Sequence, residues 1–185
     1  PAAGAGAAAV FVVVYISFMG YAGDRVTAWL HPELDPGDTG YQILQSLYAI
    51  GSGGLFGLGY GKSRQKYLYL PFQYNDYIFA VICEELGLVG AMAIVALFAV
   101  TILRGYWIAL NARDRFSTVL AAGLVTLIAV QTILNLCVVT NLLPSTGIAL
   151  PFFSYGGTAL AVNLGEMGIV LGVSRGRNRR KIQEA

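Results

Sequence analysis

"YLPFQYNDYIFAVICEELG", Tyr69–Gly87, passes from an aromatic-rich loop through one aspartate into an apolar segment carrying two adjacent glutamates. The apolar run then continues from about Leu86 to Leu110. A membrane crossing takes about 20 apolar residues, so this run reads as a transmembrane helix that starts near Asp76. Three more segments qualify: Ala3–Ala22, Ser117–Val139 and Gly156–Val173. The chain of 185 residues is 56% hydrophobic and 12% charged, with a mean hydropathy of +0.64. Soluble domains carry about 25% charged residues, so lipid is the main solvent here. The expected fold is an all-α polytopic membrane protein with four transmembrane helices. Ala3–Ala22 reads as a true span, since a signal peptide is shorter and precedes a mature domain. A start at Pro1, directly on a span, suggests a piece of a longer protein.

Lys and Arg set the orientation. Arg104, Arg113 and Arg115 flank the link between the second and third spans, and "SRGRNRRKIQEA" forms a basic tail. With four spans both fall on one side, which is cytoplasmic. One membrane domain is expected over 1–185. Its spans are 3–22, 76–110, 117–139 and 156–173, with an outer loop at 23–75, an outer re-entrant loop at 140–155 and a tail at 174–185. The loop's second half, "ILQSLYAIGSGGLFGLGYGKSRQKYLYLPFQYN", is too apolar for a free aqueous loop. It is expected to lie at the interface or fold back into the bundle, where non-helical backbone is tolerated only against protein or a wet cavity.

"GSGGLFGLGYGKS" fails as a phosphate loop, because Phe56 stands where the pattern ending at Gly61-Lys62-Ser63 requires glycine. Two readings stay open. Successive backbone N–H groups turn toward an anion, with Lys62, Arg64 and Lys66 close behind; or the segment is a flexible interfacial turn with solvated cations. Asp76 reads either as an N-cap or first-turn carboxylate or as a lone base at the membrane surface. On an unbroken helix Glu84 lies about 80° around from it and about 12 Å along, with Glu85 nearly opposite. That is an awkward pair for glycoside hydrolysis, whose two carboxylates stand about 5–9.5 Å apart. A single base beside cations suits transfer from a diphosphate-activated donor, whose leaving group needs no general acid.

Ionisable residues within spans usually face the bundle interior or a wet cavity, so Glu84, Glu85 and Glu166 are expected there. Gln131 and Asn135 share a helix face, as do Asn163 and Glu166. They read as interhelical hydrogen bonds between the third and fourth spans, with a proton or ion path as the alternative. "LLPSTGIALPFFSYGG" cannot continue a helix through Pro144 and Pro151. Its hydroxyls suit a polar headgroup. Cys83 and Cys137 lack metal-ligand spacing and read as buried apolar residues. His31 has no second histidine nearby for a metal.

Two stretches, "YQILQSLYAIGSGGLFGLGYGKSRQKYLYLP…NDYIFAVICEELGLVGA" and "NLCVVTNLLPSTGIALPFFSYGGTALAVNLG", resemble the C-terminal half of the SEDS family (shape, elongation, division and sporulation: FtsW, RodA, SpoVE), nearest its division and sporulation branches. The resemblance implies the last four spans of a ten-span peptidoglycan glycosyltransferase. That enzyme polymerises lipid II on the outer face of the bacterial cytoplasmic (inner) membrane. Its implied partners are a class B penicillin-binding protein and other divisome or elongasome membrane proteins; nucleic acid is not expected. The family's aspartate motif, L-P-E-x-H-T-D-F-I-F-A, places Asp76 as the catalytic base. Phe72, Tyr74, Asn75 and Tyr77 stand where the motif has Glu, His, Thr and Phe. Ser63, Arg64, Gln65, Lys66, Ser154 and Tyr155 are implied as substrate-binding, and a divalent cation (Mg or Mn) as an optional aid. The rival functions are a lipid II flippase or ion-coupled transporter, and a non-catalytic scaffold of the division machinery.

Overall fold

A computed structural model describes residues 23, 25–34, 39–63 and 76–183. The expected span Ala3–Ala22, the cationic residues Arg64 and Lys66, Gln65 and Phe72 lie outside them. The described chain is helical and contains no strand. A helical segment at 25–30 and a short turn at Pro32–Leu34 precede α1 (Thr39–Ser52), α2 (Ile78–Leu110), α3 (Arg115–Val139) and α4 (Gly157–Gln183). Three of these helices are long and apolar enough to cross a membrane: Ile78–Leu110, Arg115–Val139 and Gly157–Gly176.

Helix α1 is the amphipathic exception. It buries Ile43, Ser46 and Ala49 at helical spacing and leaves Tyr48 exposed. Those buried positions face α2 and the end of α3, where the Ser46 hydroxyl donates to the Val139 carbonyl at 3.3 Å. Around them Ala49, Tyr77, Phe79, Ala80, Phe98, Val139 and Leu150 form one apolar core. A second core at the other end joins Ala109, Ala121, Val125 and Val170 of α2, α3 and α4. There Gly105 lets α2 and α3 close up, since a Cβ on it would stand 2.6 Å from Val125 Cγ2. Close approach at small residues is the usual way helices associate in lipid, where no hydrophobic drive remains.

Helix α3 is bounded by local chemistry at both ends. Asp114 accepts from the Ser117 backbone N–H at 2.9 Å as its N-cap. At the other end Asn141 takes a left-handed φ of 57°. The N–H groups of Asn141 and Leu142 then return to the Val138 and Cys137 carbonyls at 3.0 and 2.7 Å, the pairing of a Schellman stop. The chain leaves α3 at that stop and passes through the 140–156 loop into α4. Since α2, α3 and α4 alternate in direction, Asp76, this loop and the start of α4 share one end of the bundle. Arg113, Arg115 and Arg175 belong to the other end.

Helix α2 is not continuous, contrary to the unbroken helix expected from near Asp76 to Leu110. Gly87 has φ 68° and ψ −170°, a conformation open essentially to glycine alone. The break leaves backbone groups of two helix ends unpaired, and the glycine-rich segment after α1 supplies their partners. The N–H groups of Leu58 and Gly59 donate to the Glu84 and Glu85 carbonyls, both at 3.0 Å. In return the Leu88 and Val89 N–H groups donate to the Gly54 and Leu55 carbonyls at 2.9 and 3.2 Å. A Cβ on Gly57 would stand 2.1 Å from the Glu85 carbonyl oxygen, and one on Gly87 2.3 Å from the Gly57 nitrogen. This backbone-to-backbone contact is why the glycines are there. It also corrects the anion-nest reading, because N–H groups that could have faced an anion are taken by helix carbonyls.

Candidate catalytic mouth

Asp76 is half-buried one residue before Tyr77, the residue that caps α2 without a side-chain capping bond. The N-cap reading of Asp76 therefore fails. Its backbone carbonyl is held by Asn135 of α3, whose Nδ2 donates to Asp76 O and to Ile148 O, both at 2.8 Å. Asn135 is 1% exposed, so one buried amide pins the aspartate to the 140–156 loop. Asp76 Oδ2 lies 3.6 Å from where a Cβ on Gly147 would stand. That is ordinary contact, so it is the left-handed φ of 66° that calls for glycine at 147.

Burial raises the Asp76 carboxyl above its ordinary value of 3.8. Desolvation disfavours the charged form, and a base with a raised pKa binds a proton more readily. Tyr77 beside it is 2% exposed, and its hydroxyl points to Ser145 Oγ at 3.5 Å. Burial raises the Tyr77 phenol most; the Ser145 bond and the Arg25 charge oppose this, and the Asp76 charge adds to it. Arg25 thus brings a cation to this mouth, where its Nη1 donates to the Ser145 carbonyl at 2.8 Å. Trp29 Nε1 donates to the Asn141 carbonyl at 2.9 Å, tying the same helical segment to the loop's start.

The remaining sequence-derived residues divide by position. Ser63 is 2% exposed and its hydroxyl donates to Glu84 Oε2; Glu84 is 1% exposed. Glu85 is buried as well, as expected, with Oε1 lacking a partner among the described residues. The glycine segment across the break covers both. Ser154 Oγ accepts from the Leu150 N–H at 2.7 Å, closing the turn at 150–154, and Tyr155 is exposed. Asn135 bonds Asp76 and the loop, not the fourth span as expected. Gln131, one turn deeper on α3, and Asn163 of α4 line a common cavity. Glu166 is buried with Oε2 unpartnered. Among the described residues no group of three His, Cys, Asp or Glu side chains could hold a metal ion.

Sequence reasoning missed Arg25 and the Asn135 clamp. Arg25 is 51 positions from Asp76 in the chain and entered only as a unit of loop charge. Asn135 and Gln131 were found as a polar pair at i, i+4, but no local signal gives the direction of their partners.

A family model described as cell cycle protein (FtsW/RodA/SpoVE) matches residues 2–179. Stage V sporulation protein E of Bacillus subtilis (strain 168) is 51% identical over 151 residues, which is 82% of this chain and 41% of that protein. A probable peptidoglycan glycosyltransferase FtsW from Trichlorobacter lovleyi is 45% identical over 166 residues, 90% of this chain and 44% of that one. A solved structure reported as "Structural coordination of polymerization and crosslinking by a peptidoglycan synthase complex" superposes with a TM-score of 0.70 at 29% identity, over 91% of this chain and 46% of that chain. The chain spans less than half the length of the curated relatives it matches. With the match running from the first residues through the Asp76 mouth and the 140–156 loop into α4, the chain belongs to the FtsW/RodA/SpoVE family of cell cycle proteins.

Proposed function

We propose that the Asp76 mouth is the base-bearing part of a peptidoglycan glycosyltransferase site that polymerises lipid II during cell division or sporulation. The observation that carries this is a half-buried carboxylate, raised in pKa and free of any capping role, held at the bundle's end by a buried amide. The acceptor sugar's 4-hydroxyl attacks the anomeric carbon of the growing chain, and its proton passes to Asp76. The new C–O bond forms as the bond to the diphosphate breaks, and undecaprenyl diphosphate leaves with the bonding pair. That leaving group is already anionic and needs no general acid. Arg25 at the mouth, with Arg64 and Lys66 in the segment leading to Asp76, supplies positive charge for it. A divalent cation bound with the diphosphate would take its further ligands from outside the described residues, whose side chains form no three-ligand cluster.

By the distribution of Lys and Arg, the Arg113–Arg115 link and the tail lie in the cytoplasm and the Asp76 mouth opens on the outer face of the cytoplasmic membrane. A class B penicillin-binding protein is the proposed partner, in keeping with the synthase complex named for the solved relative. The transport reading draws on the unpartnered buried oxygens of Glu85 and Glu166. Labelled lipid II given to the reconstituted full-length protein with its partner separates the two: the transferase makes polymer and the transporter only translocates substrate. Asp76→Asn is expected to lower polymerisation by about 10²–10⁴-fold, the usual worth of a general base, with membrane insertion intact. Rates within a few-fold of wild type would show that Asp76 is not the base.

A further inference from the structure

Between α3, the 140–156 loop and the first turns of α4 lies a cavity of about 470 Å³. Gln131, Ile148, Phe152, Ser154, Thr158 and Asn163 are among its lining residues, and among the described residues no charged side chain lines it. The size falls within the range of small-molecule pockets, about 300–1,000 Å³. Asn163 is 7% exposed. Among the described residues nothing hydrogen-bonds its amide, the Gln131 amide or the Thr158 hydroxyl. Neither amide is among the buried side-chain atoms that lack a partner in the described residues, so both are reached from the cavity, and a ligand that fills it has to pair them. The start of α4 also contributes Thr158, Ala159 and Leu160 to the wall, at a helix end whose first N–H groups have no partner within the helix.

The chemistry of the lining selects the ligand. An acyl chain would leave both amides unsatisfied, at a cost of about 1–3 kcal/mol for each buried group. A diphosphate only accepts hydrogen bonds and favours cations, which the described lining lacks. Each amide offers a donor and an acceptor together, which matches hydroxyl and acetamido groups. Ile148, Leu150 and Phe152 supply apolar wall for the face of a ring. Phe152 is held at a left-handed φ of 66°, an uncommon state for a bulky residue, between this cavity and the apolar core it packs against.

The cavity also adjoins the base. Ile148 lines it, and the Asn135 amide that holds the Ile148 carbonyl holds the Asp76 carbonyl too. Gln131 stands one turn below Asn135, about 6 Å deeper along α3. We infer that this cavity is the subsite for an uncharged N-acetylated sugar of the acceptor, with Gln131 and Asn163 as its specificity-determining residues. The inference rests on the lipid-linked transfer reading above and adds where the sugar sits.

The test measures binding of lipid II, and of undecaprenyl diphosphate as the same carrier without sugar, to full-length protein in detergent. Wild type is expected to bind lipid II the more tightly. Asn163→Leu and Gln131→Leu should each weaken lipid II binding by roughly tenfold, the worth of one or two neutral hydrogen bonds, and leave carrier binding unchanged. Thermal unfolding of each variant is followed alongside, and half-buried Gln131 gives a second variant if Asn163→Leu misfolds. Both affinities falling together with the melting point would mark a packing role, such as contact with another helix of the bundle, and overturn the subsite. Variants that prefer lipid II as strongly as wild type does would overturn it as well, with the transfer reading intact. A wild type that does not bind lipid II would bring down both.

Discussion

The helix break at Gly87 makes a demand that one methyl group can test. In Gly87→Ala the new Cβ would stand 2.3 Å from the Gly57 nitrogen and 2.6 Å from the Leu55 carbonyl oxygen. Both are backbone atoms, so no side chain can swing aside. The conformation itself, φ 68° and ψ −170°, costs a residue with a Cβ about 1–3 kcal/mol. Moving the glycine segment away strains four backbone hydrogen bonds across the break, those of Leu58, Gly59, Leu88 and Val89. At about 0.5–1.5 kcal/mol net each, losing half of them adds about 1–3 kcal/mol. The expected destabilisation is therefore about 2–6 kcal/mol, a large share of the 5–15 kcal/mol typical of a folded domain. Thermal unfolding in detergent reads the stability, and trypsin cleavage after the exposed Lys62 reads detachment of the segment. Gly123→Ala is the control, since its Cβ meets nothing within 4 Å on α3 and should be neutral or mildly stabilising. If Gly87→Ala melts with wild type and is cut no faster, the glycine segment does not hold the break together.

Two further outcomes follow from the mouth. Asn135→Leu removes both 2.8 Å bonds that tie Asp76 and Ile148 together; it should cost about 1–3 kcal/mol and lower the turnover of polymerisation more than lipid II affinity, read by steady-state kinetics of the full-length enzyme. Asp76→Asn should melt higher than wild type at neutral pH. A folded-state pKa above the ordinary 3.8 means that the ionised carboxylate destabilises the native state once pH exceeds the raised value. That advantage of the variant should close as pH falls through the raised pKa toward 3.8, and a constant gap would count against burial as the cause.

The helical membrane character was legible because it needs only the length of apolar runs, and Ile78–Leu110 and Arg115–Val139 are long enough to leave no other reading. The break was not legible. "EELGLVG" holds no proline, and a lone glycine inside a helix pattern is ordinarily tolerated; the bend arises from contact with residues about 30 positions earlier. Glu84 and Glu85 are both inside, as expected of ionisable residues in a span, though on a helix that is broken just after them. In "GSGGLFGLGYGK" the glycines were correctly read as backbone freedom, but their partner was a helix, and composition cannot tell a carbonyl ligand from an anion. Asp76 at a helix start looked like a cap; Tyr77 takes that position, and the aspartate is left for another use.

The broken helix also explains why two glutamates stand where they do. A break in lipid leaves polar backbone exposed at a cost of several kcal/mol per group, so it persists only where a second segment meets it. The chain after that segment reaches Ser63, whose hydroxyl is fixed on Glu84, about two helical turns on from Asp76. Ser63, held on Glu84, and Asp76, at the start of the short helix before Gly87, are the described positions on either side of residues 64–75. The Glu84 carboxylate is engaged by the Ser63 hydroxyl, while the Asp76 carboxylate faces Gly147 of the 140–156 loop. The two acids thus stand in different settings: Asp76 is half-buried at the bundle's end, and Glu84, deeper inside, is buried and engaged by Ser63.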